Sequence, residues 1–221
     1  MKIARLEGMR VPIFPLDNVV LFPSVQVPLY IFEPRYCQMT AAALEDDRRI
    51  GMVAVQPQHR DEMTGEPPVF PIGCLGEISY SEPRKDSTYN LVLQGTNRFR
   101  IQSEIPKEGG RLYRLAEIEL LTEEPNHPRD ILDAVRARVL ELMRHMVPDR
   151  AASFRVDLFA KLDDSTFVNA FCQSLDFSAV EKQLLLAANS VRERADQLVE
   201  LMDFRLTTQA LKSSPGPETV Q

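Results

Sequence analysis

The stretch from Val11 to Tyr36 reads VPIFPLDNVVLFPSVQVPLYIFEPRY and combines apolar residues with prolines. A proline has no backbone N–H to donate within a sheet, so the segments around them are predicted to lie at sheet edges or to bend sharply. Pro34 is tolerated in a first helical turn, and a helix is predicted from Glu33 or Pro34 to about Glu45. The other prolines of the stretch, to which the prediction of edges and bends applies, are Pro12, Pro15, Pro23 and Pro28.

The apolar residues of this stretch are predicted to form much of the core of a β-rich first half. They are Ile13, Phe14, Leu16, Leu21, Phe22, Leu29, Ile31 and Phe32. Further strand-like runs follow: IGMVAV, CLGEISYS, TYNLVLQG, RFRIQSEI and YRLAEIELL. In RFRIQSEI, apolar and polar residues alternate, which indicates a half-buried antiparallel strand. The polar segment from Gln56 to Pro68 has no periodicity and is predicted to be an exposed, mobile loop.

The second half has helical periodicity, and the change falls at TEEPNHPR, from Thr122 to Arg129. Apolar residues recur at helical spacing from Ile131 to Met146, and shorter helices are predicted around 156–162 and 166–175. Two serines, Ser178 and Ser190, each precede a glutamate by three residues, which is the capping-box pattern. The sequence therefore predicts a β domain over 9–121, a helical domain over 129–206 and a disordered tail over 207–221.

Composition argues against several classes of protein. The net charge is −6, and both halves are acidic, which disfavours a nucleic-acid surface. Three widely spaced cysteines, with no CxxC pair, are typical of reduced thiols in the cytoplasm. No apolar run approaches the roughly 20 residues of a membrane span, and no signal-like segment opens the chain. We therefore expect a cytoplasmic protein without membrane segments.

No motif predicts catalysis, a cofactor or a metal. A GKS or GKT phosphate loop, an HExxH pair and a GxSxG elbow are all missing from the sequence. The three histidines, His59, His127 and His145, lack metal-ligand spacing. Arg98, Phe99 and Arg100 could form an RNA-stacking strand, but alternation places the ring and the arginines on opposite faces. A core phenylalanine between solvated arginines is the simpler interpretation.

The opening stretch resembles the first motif of the substrate-binding N-terminal region of Lon-type proteases, in which P-L, LFP, PL and IFEPRY follow in that order. The segments IGMVAVQ, GTNRFRI and AEIELL follow in the family's order, so the resemblance covers about Met9 to Phe204. The residues that match the signature are Pro15, Leu16, Phe22, Pro23, Pro28, Leu29, Ile31, Phe32, Glu33, Pro34, Arg35 and Tyr36. Most of them are interpreted as architectural. Glu33 and Arg35 are either a binding pair or charges that cap or brace the helix start.

The resemblance implies an α+β fold, in which a small PUA-like β-barrel with one inserted helix is followed by a helical bundle. The chain is similar to stand-alone bacterial proteins of this type, which lack the ATPase and peptidase parts of Lon. The implied function is non-catalytic binding of unfolded or partly folded polypeptide, or of a partner protein. RNA binding is the alternative, because PUA-like barrels elsewhere hold RNA. The oligomeric state is left open.

Overall fold

The computed structural model describes residues 8–123, 129–146 and 161–213, and confirms the α+β class. Six strands are described: β1 Met9–Leu16, β2 Gln26–Ile31, β3 Arg49–Ala54, β4 Ile72–Pro83, β5 Tyr89–Ile105 and β6 Arg114–Leu121. The helices are α1 Pro34–Glu45, α2 Arg129–Met146, α3 Asp164–Ser174, α4 Ala179–Ala187 and α5 Val191–Ser213. A short 3-10 helix covers Pro57–Glu62. The predicted helix around 156–162 lies almost entirely outside the described residues.

The described chain divides into two compact units, and the division differs from the predicted one. The first unit contains the residues up to Thr122 together with Asn169–Ala187, and the second contains the others. The boundary after Thr122 coincides with the predicted linker. The predicted helical domain over 129–206 is instead shared between the units, because part of α3 and all of α4 pack with the sheet.

The strands form one sheet in the order β2-β5-β4-β3-β1-β6, and β5 also pairs with β6. The last strand of this order, β6, is therefore hydrogen-bonded to β5, the second strand of the order. β1 and β3 are parallel, whereas the other neighbours are antiparallel. Because β5 is long, its first residues pair with β2 and its last residues pair with β6.

The proline-rich opening was predicted to lie at sheet edges or to bend sharply; β2 does end the sheet order, whereas β1 is not an edge strand. β1 lies between β3 and β6 although it contains Pro12 and Pro15. Its first residues pair only with β6 and its last residues only with β3, and Ile13 pairs with both. Each proline thus has one neighbouring strand, and its position without an N–H can face away from that strand.

Two runs that the sequence predicts as separate strands, TYNLVLQG and RFRIQSEI, form the single strand β5. Gly95, the last residue of the first run, does not interrupt the strand. A Cβ at this position would lie 2.1 Å from the carbonyl oxygen of Phe22. Gly95 is therefore required by the close approach of another backbone segment. The glycines at the predicted turn before β6, Gly109 and Gly110, have φ of 61° and 79°, as a tight turn requires.

The core of the first unit contains most of the predicted apolar residues of the opening stretch. Phe99 is completely buried, as predicted, in a cluster with Val11, Ile13, Val53, Leu75, Ala116 and Ile118. Phe14, Leu21, Phe22 and Ile31 are also buried. Leu16 and Leu29 are half-buried. Phe32 is 61% exposed, so its assignment to the core is wrong. Phe32 is two residues after the exposed Tyr30, so in an extended segment both side chains point to the same, solvent-facing side.

Helix α4 is attached to the sheet by two side chains for which the sequence predicted no such contact. Gln183 donates from Nε2 to the carbonyl of Ile72 at 2.9 Å, and Arg98 donates from Nη1 to that of Leu186 at 2.9 Å. Arg98 is only 3% exposed, which corrects the prediction that it is solvated. Its positive charge lies at the C-terminal end of α4, where carbonyl groups lack helical partners. At the start of α4, the capping box of Ser178 and Glu181 is confirmed.

The second unit contains α2, α5 and the first residues of α3. Val139, Leu142 and Met143 of α2 are buried, as their spacing predicts. Arg194 of α5 is completely buried and forms an ion pair with Glu123 at 2.5 Å. The predicted tail from residue 207 is wrong for its first part, because α5 continues to Ser213. Thr207 and Thr208 donate their hydroxyls to the carbonyls four residues earlier, so these residues do not interrupt the helix.

Candidate functional site

The first unit exposes three large aromatic side chains on or next to β2 and β4, the two strands that flank the start of β5. Tyr30, Phe32 and Tyr80 are 51%, 61% and 55% exposed, and we call them the aromatic surface. Tyr30 and Phe32 are stacked, with ring centroids 5.8 Å apart and an interplanar angle of 27°. An exposed cluster of rings is unusual for a folded monomer and commonly marks a binding surface.

The register of the strands explains why Tyr30 and Tyr80 share one face of the sheet, and Phe32, one residue beyond β2, stacks on Tyr30. Val92 of β5 lies opposite Pro28 of β2 on one side and opposite Tyr80 of β4 on the other. Side chains opposite each other in antiparallel strands point to the same face. Tyr30 is two residues after Pro28 and therefore shares that face, whereas the alternate residues of β5, Leu91 and Leu93, are buried.

Polar and charged groups lie beside the rings. The guanidinium of Arg84 is 5.6 Å from the centroid of Tyr30, within the range of a cation–π interaction. Asn90, opposite Tyr30 in β5, donates to the carboxylate of Glu82 in β4 at 3.2 Å. A hydrogen bond from the Thr88 hydroxyl lowers the pKa of Asp86 in the following turn. The aromatic surface therefore has a charged border with both signs, as many protein interfaces have.

The signature residues at the start of α1 form a brace, and the alternative of a binding pair receives no support from their contacts. The side chain of Arg35 donates to Glu33 from Nε at 3.0 Å and to the carbonyls of Gly65 and Met63. Its guanidinium lies 4.5 Å from the ring centroid of Tyr36. Each of these hydrogen bonds joins Arg35 to another part of the same chain. The predicted loop over 56–68 is mostly exposed, and its mobility stays a prediction.

Tyr36 is buried beneath this brace. Its hydroxyl donates to the carbonyl of Pro15 at 3.4 Å, and its ring packs against Phe14 with a centroid distance of 4.5 Å. Burial raises the pKa of Tyr36 to about 12, because the phenolate would lose its hydration. This residue supports the fold and is not accessible to a ligand.

The other signature residues fall into three classes of exposure. Pro15, Phe22, Pro23 and Ile31 are buried, whereas Leu16 and Leu29 are half-buried. Pro28, Phe32 and Pro34 are exposed. The signature therefore mixes residues that build the fold with one ring, Phe32, that belongs to the aromatic surface. Tyr30 and Tyr80 were not singled out from the sequence. The local sequence contained no signal for the exposure of Tyr30, because Leu29, Tyr30, Ile31 and Phe32 form a continuous apolar run.

The histidines, which lack metal-ligand spacing in the sequence, have local partners where the structure describes them. His59 pairs with Glu62 at 2.8 Å, and His145 contacts the carbonyl of Glu141, while His127 lies outside the described residues. Within the part of the chain that the structure describes, no three His, Cys, Asp or Glu side chains are placed to hold a metal ion. No described helix combines the length and apolar character needed to cross a membrane.

A groove in the second unit is a weaker candidate. It has a volume of about 730 Å³ and lies between α2 and α5, where Val135 and Val199 contribute apolar walls. Its charged lining contains Glu200 together with Arg138 and Arg192, which form ion pairs with Asp203 and Asp196, both at 2.7 Å. Such exposed pairs are ordinary helix-surface interactions.

Comparison with known proteins relates the chain to one family. Residues 10–203 match the model of the ATP-dependent protease La (LON) substrate-binding domain. The Lon protease of Flavobacterium johnsoniae is 28% identical over 210 residues, and that of Escherichia coli (strain K12) is 24% identical over 209 residues. Each alignment covers 91% of this chain but only 25% and 26% of the relative, so the chain spans about a quarter of the length of these proteases.

Solved structures show the same fold. The N-terminal domain of the Mycobacterium avium complex Lon protease aligns with a TM-score of 0.69 and 18% identity, over 88% of this chain and 98% of that domain. The Lon N-terminal domain protein from Xanthomonas campestris aligns with a TM-score of 0.61 and 20% identity, over 87% of this chain and 98% of that protein. The family match covers nearly the whole chain and agrees with the fold. The chain belongs to the family of the ATP-dependent protease La (LON) substrate-binding domain.

Proposed function

We propose that this chain is a non-catalytic module that binds unfolded or partly folded polypeptide through the aromatic surface of Tyr30, Phe32 and Tyr80. The exposure of these three rings on one face of the sheet is the observation that carries the proposal. The matching family model describes a substrate-binding domain, and the chain spans about a quarter of the length of the matched proteases. The reduced cysteines support a cytoplasmic site of action.

The size of the aromatic surface favours weak, reversible binding. About half of each ring is exposed, so covering all three removes roughly 300 Å² of apolar surface, worth about 7 kcal/mol before the costs of association. Those costs, chiefly lost translational and conformational freedom, are of the order of 4–15 kcal/mol. The rings alone therefore give modest affinity, which suits a protein that must release its ligand.

We also propose that the ring of strand pairings is the PUA-like barrel implied by the resemblance, and that the second unit is a helical bundle. The pairing of β5 with both β4 and β6 supports the barrel, since only a closed sheet lets the last strand return to an earlier one. The ion-paired and apolar contacts of α2 with α5 support the bundle. In this arrangement β2, the end of β4 and the start of β5 form a three-stranded extension of the barrel, which we call the arm. The aromatic surface lies on this arm.

The proposed function is tested with a fluorescein-labelled short peptide in which phenylalanine or leucine alternates with threonine or lysine. Binding is measured by fluorescence anisotropy. The double variant Tyr30→Ser/Phe32→Ser is expected to bind at least about tenfold more weakly, because two apolar contacts are lost. The matched control is Leu112→Ser/Leu184→Ser, which removes two other exposed apolar side chains of the same unit.

The peptide affinity of the control variant should stay within about twofold of that of the unchanged protein, since each exposed leucine lies outside the aromatic surface. Equal losses in the two double variants would contradict the proposal, and so would no detectable binding by the unchanged protein. A parallel titration with unlabelled cellular RNA at low salt tests the RNA alternative. Tight, salt-sensitive competition by RNA would replace polypeptide with RNA as the ligand.

A further inference from the structure

We infer that the bound polypeptide is held as an added β-strand on the free edge of β2. This inference rests on the proposed function and specifies how the same site holds its ligand. β2 ends the sheet order, and within residues 8–123, 129–146 and 161–213 only β5 pairs with it. An edge strand has a row of backbone groups without sheet partners, and extended peptides bind to such rows in many recognition domains.

The hydrogen bonds of β5 identify which residues of β2 face this edge. Gly95 donates its N–H to the carbonyl of Val25 at 2.8 Å, so this pair is bonded across the two strands. Bonded and non-bonded pairs alternate in an antiparallel ladder. In the register of β2 with β5, the pairs of Val27 with Leu93 and of Leu29 with Leu91 are therefore bonded. The remaining residues, Gln26, Pro28 and Tyr30, have backbone groups that face outward.

A second contact supports this assignment. Val92, which lies opposite Pro28, accepts a hydrogen bond at its carbonyl from the hydroxyl of Ser79 in β4. The backbone groups of Val92 thus face β4, and those of Pro28 face away from β5. The outward edge therefore presents three carbonyls, from Gln26, Pro28 and Tyr30, but only two N–H groups, because proline has none.

The missing N–H of Pro28 indicates whether the added strand comes from a second copy of this chain or from a different polypeptide. Two copies that pair through β2 around a symmetry axis each bring a proline, so the interface lacks two donors. A different extended segment meets Pro28 only once and lacks one donor. Proline on an edge strand is a common device against pairing between identical sheets. The edge is therefore better suited to a foreign segment than to self-association.

The other free edge of the arm is less suited to pairing. The end of β4 lies beyond the residues that pair with β3, and it carries a register shift between Ile78 and Tyr80 and a terminal Pro83. A bulge bends a strand and disrupts the spacing of its backbone groups. β2 has no such irregularity in its pairing with β5. Its outward residue Tyr30 also carries a ring of the aromatic surface, which places apolar side chains of an added strand beside Tyr30 and Phe32.

Backbone N-methylation of the probe peptide separates strand addition from side-chain binding. Two isomers of the alternating peptide are prepared, one methylated at the amides of its apolar residues and one at those of its polar residues. All amides of one class point to the same side of an extended strand, and the apolar side chains fix which face contacts the rings. Only one isomer can therefore keep its donors toward β2.

We expect one isomer to lose at least about tenfold in affinity and the other to stay within about twofold of the parent peptide, since two or more hydrogen bonds are removed from only one. Equal losses, or no loss in either isomer, would overturn strand addition while leaving the proposed function intact. Failure of the unmethylated peptide to bind would contradict the proposed function itself.

A substitution in the protein provides an independent test. Gln26→Pro removes an outward N–H at the first residue of β2, where proline is compatible with an edge strand. Gln26→Ala is the matched control, because it removes the side chain and keeps the N–H. We expect Gln26→Pro to bind the peptide about two- to tenfold more weakly than Gln26→Ala, with equal melting temperatures. Equal affinities of the two variants would overturn the inference.

Discussion

Replacement of Gly95 by alanine tests the backbone contact that holds the start of β2 against β5. A Cβ at this position would lie 2.1 Å from the carbonyl oxygen of Phe22 and 2.9 Å from its carbonyl carbon. The two segments must separate by about 1 Å to restore an ordinary contact. That movement stretches two hydrogen bonds, from Gly95 to Val25 and from Ser24 to Gly95, at present 2.8 and 2.9 Å.

The expected loss in the free energy of unfolding follows from these contacts. Overpacking costs about 1–3 kcal/mol, and weakening two backbone hydrogen bonds adds about 1–3 kcal/mol. Alanine restricts the unfolded chain and returns about 0.4–1 kcal/mol. We therefore expect Gly95→Ala to destabilise the first unit by about 2–4 kcal/mol, which lowers the melting temperature by roughly 5–15 °C.

Gly65→Ala is the matched control, since it introduces the same side chain where space is available. The nearest atom to a Cβ at Gly65 is the carbonyl oxygen of Glu62 at 3.4 Å. Its stability should change by less than about 1 kcal/mol. Urea unfolding followed by circular dichroism compares the variants, and amide exchange in β2 and β5 locates the effect. Equal stability of the two variants would refute the close approach at Gly95.

Three further predictions concern the first unit. Burial raises the pKa of Tyr36 to about 12 from its ordinary value of 10.0. As the pH rises, the unfolded state therefore loses this proton before the folded state does. The contribution of Tyr36 to stability is complete below pH 10 and is lost as the pH rises toward 12. About 2–3 kcal/mol should be lost in that range, and Tyr36→Phe should remove this part of the pH dependence in denaturant titrations. Phe99→Ala should cost about 3–5 kcal/mol in urea unfolding, because the ring is completely buried in the core; a cost below 1 kcal/mol would contradict its packing. A fragment that ends at Thr122 should lack the cooperative thermal melt of the full chain, since the partners of Arg98 and Ile72 in α4 are missing; a sharp melt of the fragment would refute the assignment of α4 to this unit.

Local patterns predicted much of the fold. Alternation in RFRIQSEI identified Phe99 as a core residue, and Pro34 marked the first residue of α1. The capping pattern at Ser178 located the start of α4. These features depend on residues close in sequence, so that a single stretch contains the required information.

Long-range contacts were not predictable in the same way. Arg98 is buried because α4, almost ninety positions later, places Leu186 over it. Alternation alone placed this arginine in solvent. Phe32 is exposed because no element among the described residues covers it. The residues next to it in sequence do not encode this property. The aromatic surface was therefore found only through the register of β2, β5 and β4.

The late position of α4 has a consequence for synthesis of the chain. The ribosome completes β6 by Thr122, but the segment that finishes the first unit ends at Ala187, 65 residues later. At about 5–20 residues per second, the nascent sheet waits roughly 3–13 s for α4. During this interval the surface that receives Gln183 and surrounds Arg98 is uncovered. Faster translation between β6 and α4 should therefore raise the yield of folded protein, and pausing there should favour aggregation without any change in the stability of the finished molecule.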